Sequence, residues 1–87
     1  MTEESLLKFP TDYPIKVVGR SHPSFREHID AIVSKHVPDL NLDLSSERPS
    51  GNGNFVAISY SIVARSREQV VALVQDLTAA EGVMMVI

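Results

Sequence analysis

The stretch FVAISYSIVAR, Phe55 to Arg65, limits the fold of this chain more than any other. Val56, Ile58, Tyr60, Ile62 and Ala64 fall on one side of it, and Phe55, Ala57, Ser59, Ser61 and Val63 on the other. A period of two in β-branched and aromatic residues marks a strand. The first side is larger and more apolar, which predicts a covering layer over that side of a sheet.

Two helix patterns supply the cover. Ser24–Val37 gathers Phe25, Ile29, Ile32, Val33 and His36 into a stripe roughly 100° wide, with Arg26, Glu27, Asp30 and Lys35 off it. Ser24 followed by Glu27 has the form of a capping box, with Ser21 as a rival cap, and Pro38 stops the helix. Ser66–Ala80 buries Val70, Leu73, Val74 and Leu77, with Ser66 and Gln69 at its start and Gly82 as its left-handed stop. Tyr13–Gly19 reads as a first strand, with Ile15, Val17 and Gly19 facing away from Lys16 and Val18. Leu40–Arg48 alternates Leu40, Leu42 and Leu44 with polar residues and predicts a half-buried edge strand. Pro49–Gly53 is a loop by composition, and Val83–Ile87 a short apolar final strand.

The order is β-α-β-β-α-β. Helices with one apolar stripe each must share a single sheet face. The expected fold is therefore α+β: a ferredoxin-like split βαβ sandwich, with a four-stranded antiparallel sheet and two helices on one face. It spans residues 1–87 as one domain, with 1–12 a leading arm that docks through Leu6, Leu7 and Phe9. The opposite sheet face keeps Val18, Phe55, Ala57, Val63, Met84 and Val86, an apolar surface suited to a protein partner or a second copy.

Composition removes several functions. There is no Cys, so disulfides and thiolate metal sites are excluded. Eleven acids against eight bases give a net charge of −3, and the bases are scattered, with only Arg65 and Arg67 close together. That argues against nucleic acid, which is bound by clustered Lys and Arg. MTEESLLKFP lacks the basic start and long apolar run of a signal peptide, and no run is long enough to span a membrane. A cytoplasmic location with no membrane contact is expected. His28 and His36 stand too far apart to share a metal, no zinc spacing surrounds them, and no metal or cofactor is expected. His36 reads as a packed imidazole at a helix end. No serine sits in a G-x-S-x-G elbow, and SGNGN lacks the following helix and Lys of a phosphate loop.

The junction Gly19-Arg20-Ser21-His22-Pro23 is the candidate ligand site. It leads a strand into a helix start, where free N–H groups and the dipole favour a small anion, and Arg20 and His22 add charged donors. The plainer role is architectural: Gly19 bends the chain and a serine caps the helix.

LLKFPTDYPIKVVG at the start, KHVPD closing the first helix, GNFVAISYSIVA, EQV and the final VMMVI follow one another over nearly the whole length. In that order the chain resembles the YbeD-like family of small bacterial proteins. The resemblance implies a ferredoxin-like fold similar to ACT regulatory domains, and a regulatory role. ACT modules carry strand-Gly-x-Asp-x-Pro-Gly-helix around an amino-acid ligand. Gly19 and Pro23 match, but Ser21 replaces the Asp and Ser24 the second Gly, which counts against an amino acid here. The expected function is a non-catalytic regulatory or adaptor domain, acting by protein–protein contact or self-association and sensing a small anionic ligand at Gly19–Pro23. One alternative is an acylphosphatase-like enzyme, on Phe25-Arg26 after the glycine junction, although Pro23 stiffens the loop such an enzyme uses. The other is a sheet-face RNA binder, for which Phe55 is the single aromatic on offer.

Overall fold

In a computed structural model, residues 8–87 are described. They form β1 (Thr11–Arg20), α1 (Phe25–His36), β2 (Ser46–Ser50), β3 (Phe55–Ala64), α2 (Arg67–Ala79) and β4 (Val83–Val86). The four strands make one sheet in the order β2-β3-β1-β4, with every neighbouring pair antiparallel. This is the ferredoxin-like order that the alternation of strands and helices predicts.

Phe25, Ile29 and Val33 of α1 and Leu73 and Leu77 of α2 share one core with Ile15, Val17, Val56, Ile58, Tyr60 and Ile62 of the sheet. Both helices therefore cover the same face. The apolar stripes end up where periodicity places them because burying each such side chain contributes about 1.5–3 kcal/mol. Among the described residues, no helix lies on the other face of the sheet.

The structure corrects the sequence reading in several places. β1 begins at Thr11, so the leading segment ends two residues earlier than expected, and Phe9 is half-buried. The docking expected of Leu6 and Leu7 lies outside the described residues. Leu40–Leu44 is not a strand. Asn41 accepts a hydrogen bond from the Asp43 amide at 3.0 Å and winds Leu42–Leu44 into a single 3-10 turn, leaving Leu42 and Leu44 exposed. The real edge strand is the polar SERPS segment, whose Pro49 pairs with Val56. Proline is tolerated there because an edge strand has one unpaired side.

The two helix starts differ. Ser66 is extended, with φ −159° and ψ 161°, and its Oγ accepts from the Gln69 amide at 3.1 Å. Gln69 in turn accepts from the Arg65 amide and donates to the His36 carbonyl at 2.9 Å, so the cap also ties α2 to α1. Ser24, at φ −98° and ψ 1°, lacks the extended backbone a cap needs and makes no cap bond. The expected capping box at α1 is absent, and Ser21 does not replace it: Ser21 donates its amide to the Asn54 carbonyl. Gly82 adopts φ 87°, in the turn that joins α2 to β4.

Candidate functional site

Two surfaces carry the residues singled out by sequence. The first is the junction between β1 and α1. Here the end of β1, the first turn of α1 and the α2–β4 turn enclose a cleft of about 600 Å³. Arg20, Ser21 and His22 line it, joined by Ser24, Phe25 and His28, and by Glu81 and Gly82 from the far end of the chain. Of the predicted residues, Gly19 and Pro23 do not line it. Glu81 was not foreseen, since only the fold brings the second helix's end to the first helix's start.

Gly19 is not a bend. It sits inside β1 opposite Val56, without positive φ. A Cβ there would lie 2.3 Å from Phe25 Cζ and 2.6 Å from the Gly82 carbonyl oxygen. The residue is glycine because the Phe25 ring and the α2–β4 turn close over it. Next to it, Arg20 donates its amide to that same Gly82 carbonyl at 2.9 Å.

The junction's backbone donors are largely engaged. Besides Arg20 and Ser21, Phe25 donates to the His22 carbonyl at 3.0 Å and Ser24 to His22 Nδ1 at 3.1 Å. Pro23 has no N–H to offer. The bond from Ser24 requires a lone pair on His22 Nδ1, which puts the ring proton on Nε2. The polar side chains lining the cleft are Arg20, Ser21, His22, Ser24 and His28, with Glu81 as its one acid among the described residues.

The second surface is the open sheet face. Partners across a ladder point to the same side, so register decides who shares it. Val18 lies opposite Ala57 on β3 and Met85 on β4, and Ala57 lies opposite Arg48 on β2. Lys16 pairs with Ser59 and, through two backbone bonds of 3.0 and 2.9 Å, with Ile87. Arg20 pairs with Phe55, which pairs with Ser50. Val63 is on this face beside Asp12. Val86 is not: it stands opposite Val17 and packs into the core. A bulge between Val18 and Gly19 shifts the register there, with Met84 as the extra residue, 57% exposed. The bulge takes Val86 off the open face that simple alternation assigned to it, and Met85 and Ile87 complete that face instead.

Register also gathers charge that the sequence scatters. Lys16, Arg20 and Arg48 surround the Val18–Ala57 pair, all exposed. Lys16 and Arg20 are about 13 Å apart along β1, with Val18 midway, and Arg48 is about 10 Å from Val18 across two strand spacings. None of the three has an ion-pair partner among the described residues. Arg26, Lys35 and Arg65, by contrast, are each paired with acids.

Away from both surfaces, Arg26 is held by Asp30 at 2.9 Å, by Glu47 at 3.2 Å and by Ser45 Oγ. Tyr60, itself buried, donates its hydroxyl to the same Asp30, and burial followed by that bond pushes the phenol's pKa well above its usual value. This network fastens α1 to β3 and β2. It also occupies the arginine that an acylphosphatase-like reading requires, and Arg26 does not line the cleft. His36 is packed, as expected, and its Nε2 meets Asp76 Oδ2 at 2.6 Å. That contact holds the Asp76 carboxyl below the usual carboxylate range, with Lys35 assisting. Among the described residues no three His, Cys, Asp or Glu side chains converge as a metal site, and no helix is long and apolar enough to cross a membrane.

The fold resembles solved structures at sequence identities too low to speak to more than fold. Protein HP0495 from H. pylori superposes with a TM-score of 0.71 at 11% identity, covering 100% of this chain and 94% of that one. The ACT domain from the GTP pyrophosphokinase of Chlorobium tepidum gives 0.67 at 19% identity, covering 87% of this chain and 84% of that one. The architecture is thus ACT-like. Sequence relatives cover nearly the full length. A UPF0250 protein of Paraburkholderia phytofirmans is 37% identical over 97% of this chain and 94% of its own. One from Hahella chejuensis is 36% identical over 98% and 93%. A family model described as "Protein of unknown function (DUF493)" matches residues 4–87. The full-length resemblance read from the sequence is borne out, and the chain belongs to the DUF493 family of UPF0250 proteins.

Proposed function

We propose that this protein is a non-catalytic regulatory or adaptor domain that works by contact, through a partner protein or a second copy, with the open sheet face as its contact surface. The observation that carries this is the row Ala57–Val18–Met85, continued by Ile87 and with Val63 at the far end, apolar side chains on a face that no helix among the described residues covers. The occupied Arg26 supports a non-catalytic reading. The cleft at the edge of that face would take a small anionic ligand through Arg20, His22 and His28, and Arg20 belongs to both surfaces. A ligand there would tune the contact. In this reading the charge pattern belongs to a protein-binding face, since stacking of bases on this face rests on Phe55 alone.

Site-specific photo-cross-linking in the producing cells tests the proposal. A photoreactive residue at Val18 or Val63 is expected to give discrete protein adducts, and one at Val71, exposed on α2, is not. Adducts from Val71 alone, or from none of the three, would overturn it.

A further inference from the structure

The open face is apolar at its centre and basic around it, on a chain whose net charge is −3. Lys16, Arg20 and Arg48 frame Val18 and Ala57, while Asp12, at the far end beside Val63, is the acid that the paired strands place there. Of the other acids among the described residues, Asp30, Glu47, Asp39 and Asp76 pair with cations on the helix side or in the loops, and Glu81 lines the cleft at the edge of the face. Resting on the contact role proposed above, we infer that the open face docks an acidic amphipathic segment of a partner protein, whose carboxylates meet Lys16, Arg20 and Arg48 while its apolar residues cover Val18, Ala57 and Met85.

Charge decides among the occupants. A two-fold dimer through this face would be isologous, each patch meeting itself. It would bring the three cations of one copy against the same three of the other. Separations within an interface fall inside the Debye length of about 8 Å at physiological ionic strength, so that repulsion is not screened away. Docking a second copy's helix side instead would be head-to-tail, giving a ring or an open filament, and would meet acids such as Asp30 and Asp76 that already pair with cations of their own copy. RNA would find three bases but a single aromatic, Phe55. An anionic bilayer would gain only about 1 kcal/mol per cation, and stable anchoring takes more than one such weak signal. A segment with alternating acids and apolar residues satisfies both components of the face at once. It would give fast, salt-sensitive association with the apolar centre setting residence time.

The test is an NMR titration of the labelled protein with two designed peptides of equal length and identical apolar residues, one carrying Glu and the other Lys at the polar positions. The Glu peptide is expected to shift the amides of Val18, Ala57 and Ser59, and the Lys peptide is not. Lys16→Glu with Arg48→Glu is expected to weaken the Glu peptide about tenfold or more, since two attractions become repulsions. Both side chains are exposed and unpaired among the described residues, so the variant should fold, and its unperturbed spectrum away from the face verifies this. Equal binding of both peptides, shifts confined to the helix side, or tighter binding of a uridine oligonucleotide or of vesicles rich in phosphatidylserine would overturn the inference. The cross-linking experiment separates the two layers. If the Val18 probe still traps a protein when Lys16 and Arg48 are reversed, the acidic chemistry is wrong and the contact face stands. If it traps nothing even in the parent, both fail.

Discussion

Replacing Gly19 by Ala isolates what that residue does. A methyl group there meets Phe25 Cζ at 2.3 Å, Phe25 Cε1 at 2.7 Å and the Gly82 carbonyl oxygen at 2.6 Å. The phenylalanine ring is 5% exposed and embedded in the core, and the carbonyl accepts the Arg20 amide. Neither can retreat freely, so the added carbon forces the ring off its packing, the turn off the strand end, or both. Overpacking of this kind costs about 1–3 kcal/mol. With a urea slope near 1 kcal/mol/M for so small a domain, the midpoint should fall by roughly 1–3 M. In a Phe25→Leu background the ring atoms are gone and the Gly82 oxygen remains, so the same substitution should cost less, by a coupling of about 1 kcal/mol. If Gly19→Ala unfolds within about 0.5 kcal/mol of the parent, the size of an ordinary surface change, the close-approach argument is refuted. Glycine would then serve at this position for some reason other than space.

The remaining predictions are simpler. Ser66→Ala should destabilise by about 1 kcal/mol because it removes a formed cap, whereas Ser24→Ala should be nearly neutral in the same urea titrations, because no cap bond exists there. Leu44→Ser should leave stability within about 0.5 kcal/mol of the parent by thermal melting, since the side chain is 60% exposed on a turn rather than buried in a strand. The folded-state pKa of Asp76 is lowered by its bond to His36, so its contribution is present above the ordinary carboxylate range and is lost as pH falls through the folded pKa. Asp76→Asn should therefore be less stable than the parent at neutral pH, with the gap closing only below that range, as followed by circular dichroism.

Most of the fold was legible because most of its elements advertise themselves. β3 shows its two faces over ten residues, and the stripes of α1 and α2 leave one way to bury them. β2 hid for two reasons. Its five residues SERPS are all exposed and carry no apolar signal, while the leucines just before them imitate strand alternation on what is an Asx-nucleated turn. A side chain-to-backbone bond such as Asn41 to Asp43 competes with extended structure, and leucine spacing alone does not reveal it. The β4 bulge has the same character. One extra residue turned Val86 inward and Met85 outward, and nothing in VMMVI marks which methionine is the extra one.

The two candidate surfaces were half legible. That Arg20, Ser21 and His22 stand together was readable because a strand end leading into a helix start is a local pattern. Glu81 was not, because it reaches the cleft from across the fold. Lys16 and Arg20 stand four apart in a strand and so share a side with Val18, a signal the sequence does contain. Arg48 joins them only through β2–β3 register, and with β2 misplaced its position was out of reach. A scattered set of bases became a cluster once strands brought distant positions together.

The most direct test of a covered open face is oxidative footprinting of Met85, which is 51% exposed in the free chain. The oxidation rate of that thioether is measured by mass spectrometry in the purified protein and in fresh lysate of the cells that make it, with oxidant dose matched. The account predicts that Met85 is protected in the lysate and that adding salt removes much of the protection. Equal oxidation in both samples would contradict it.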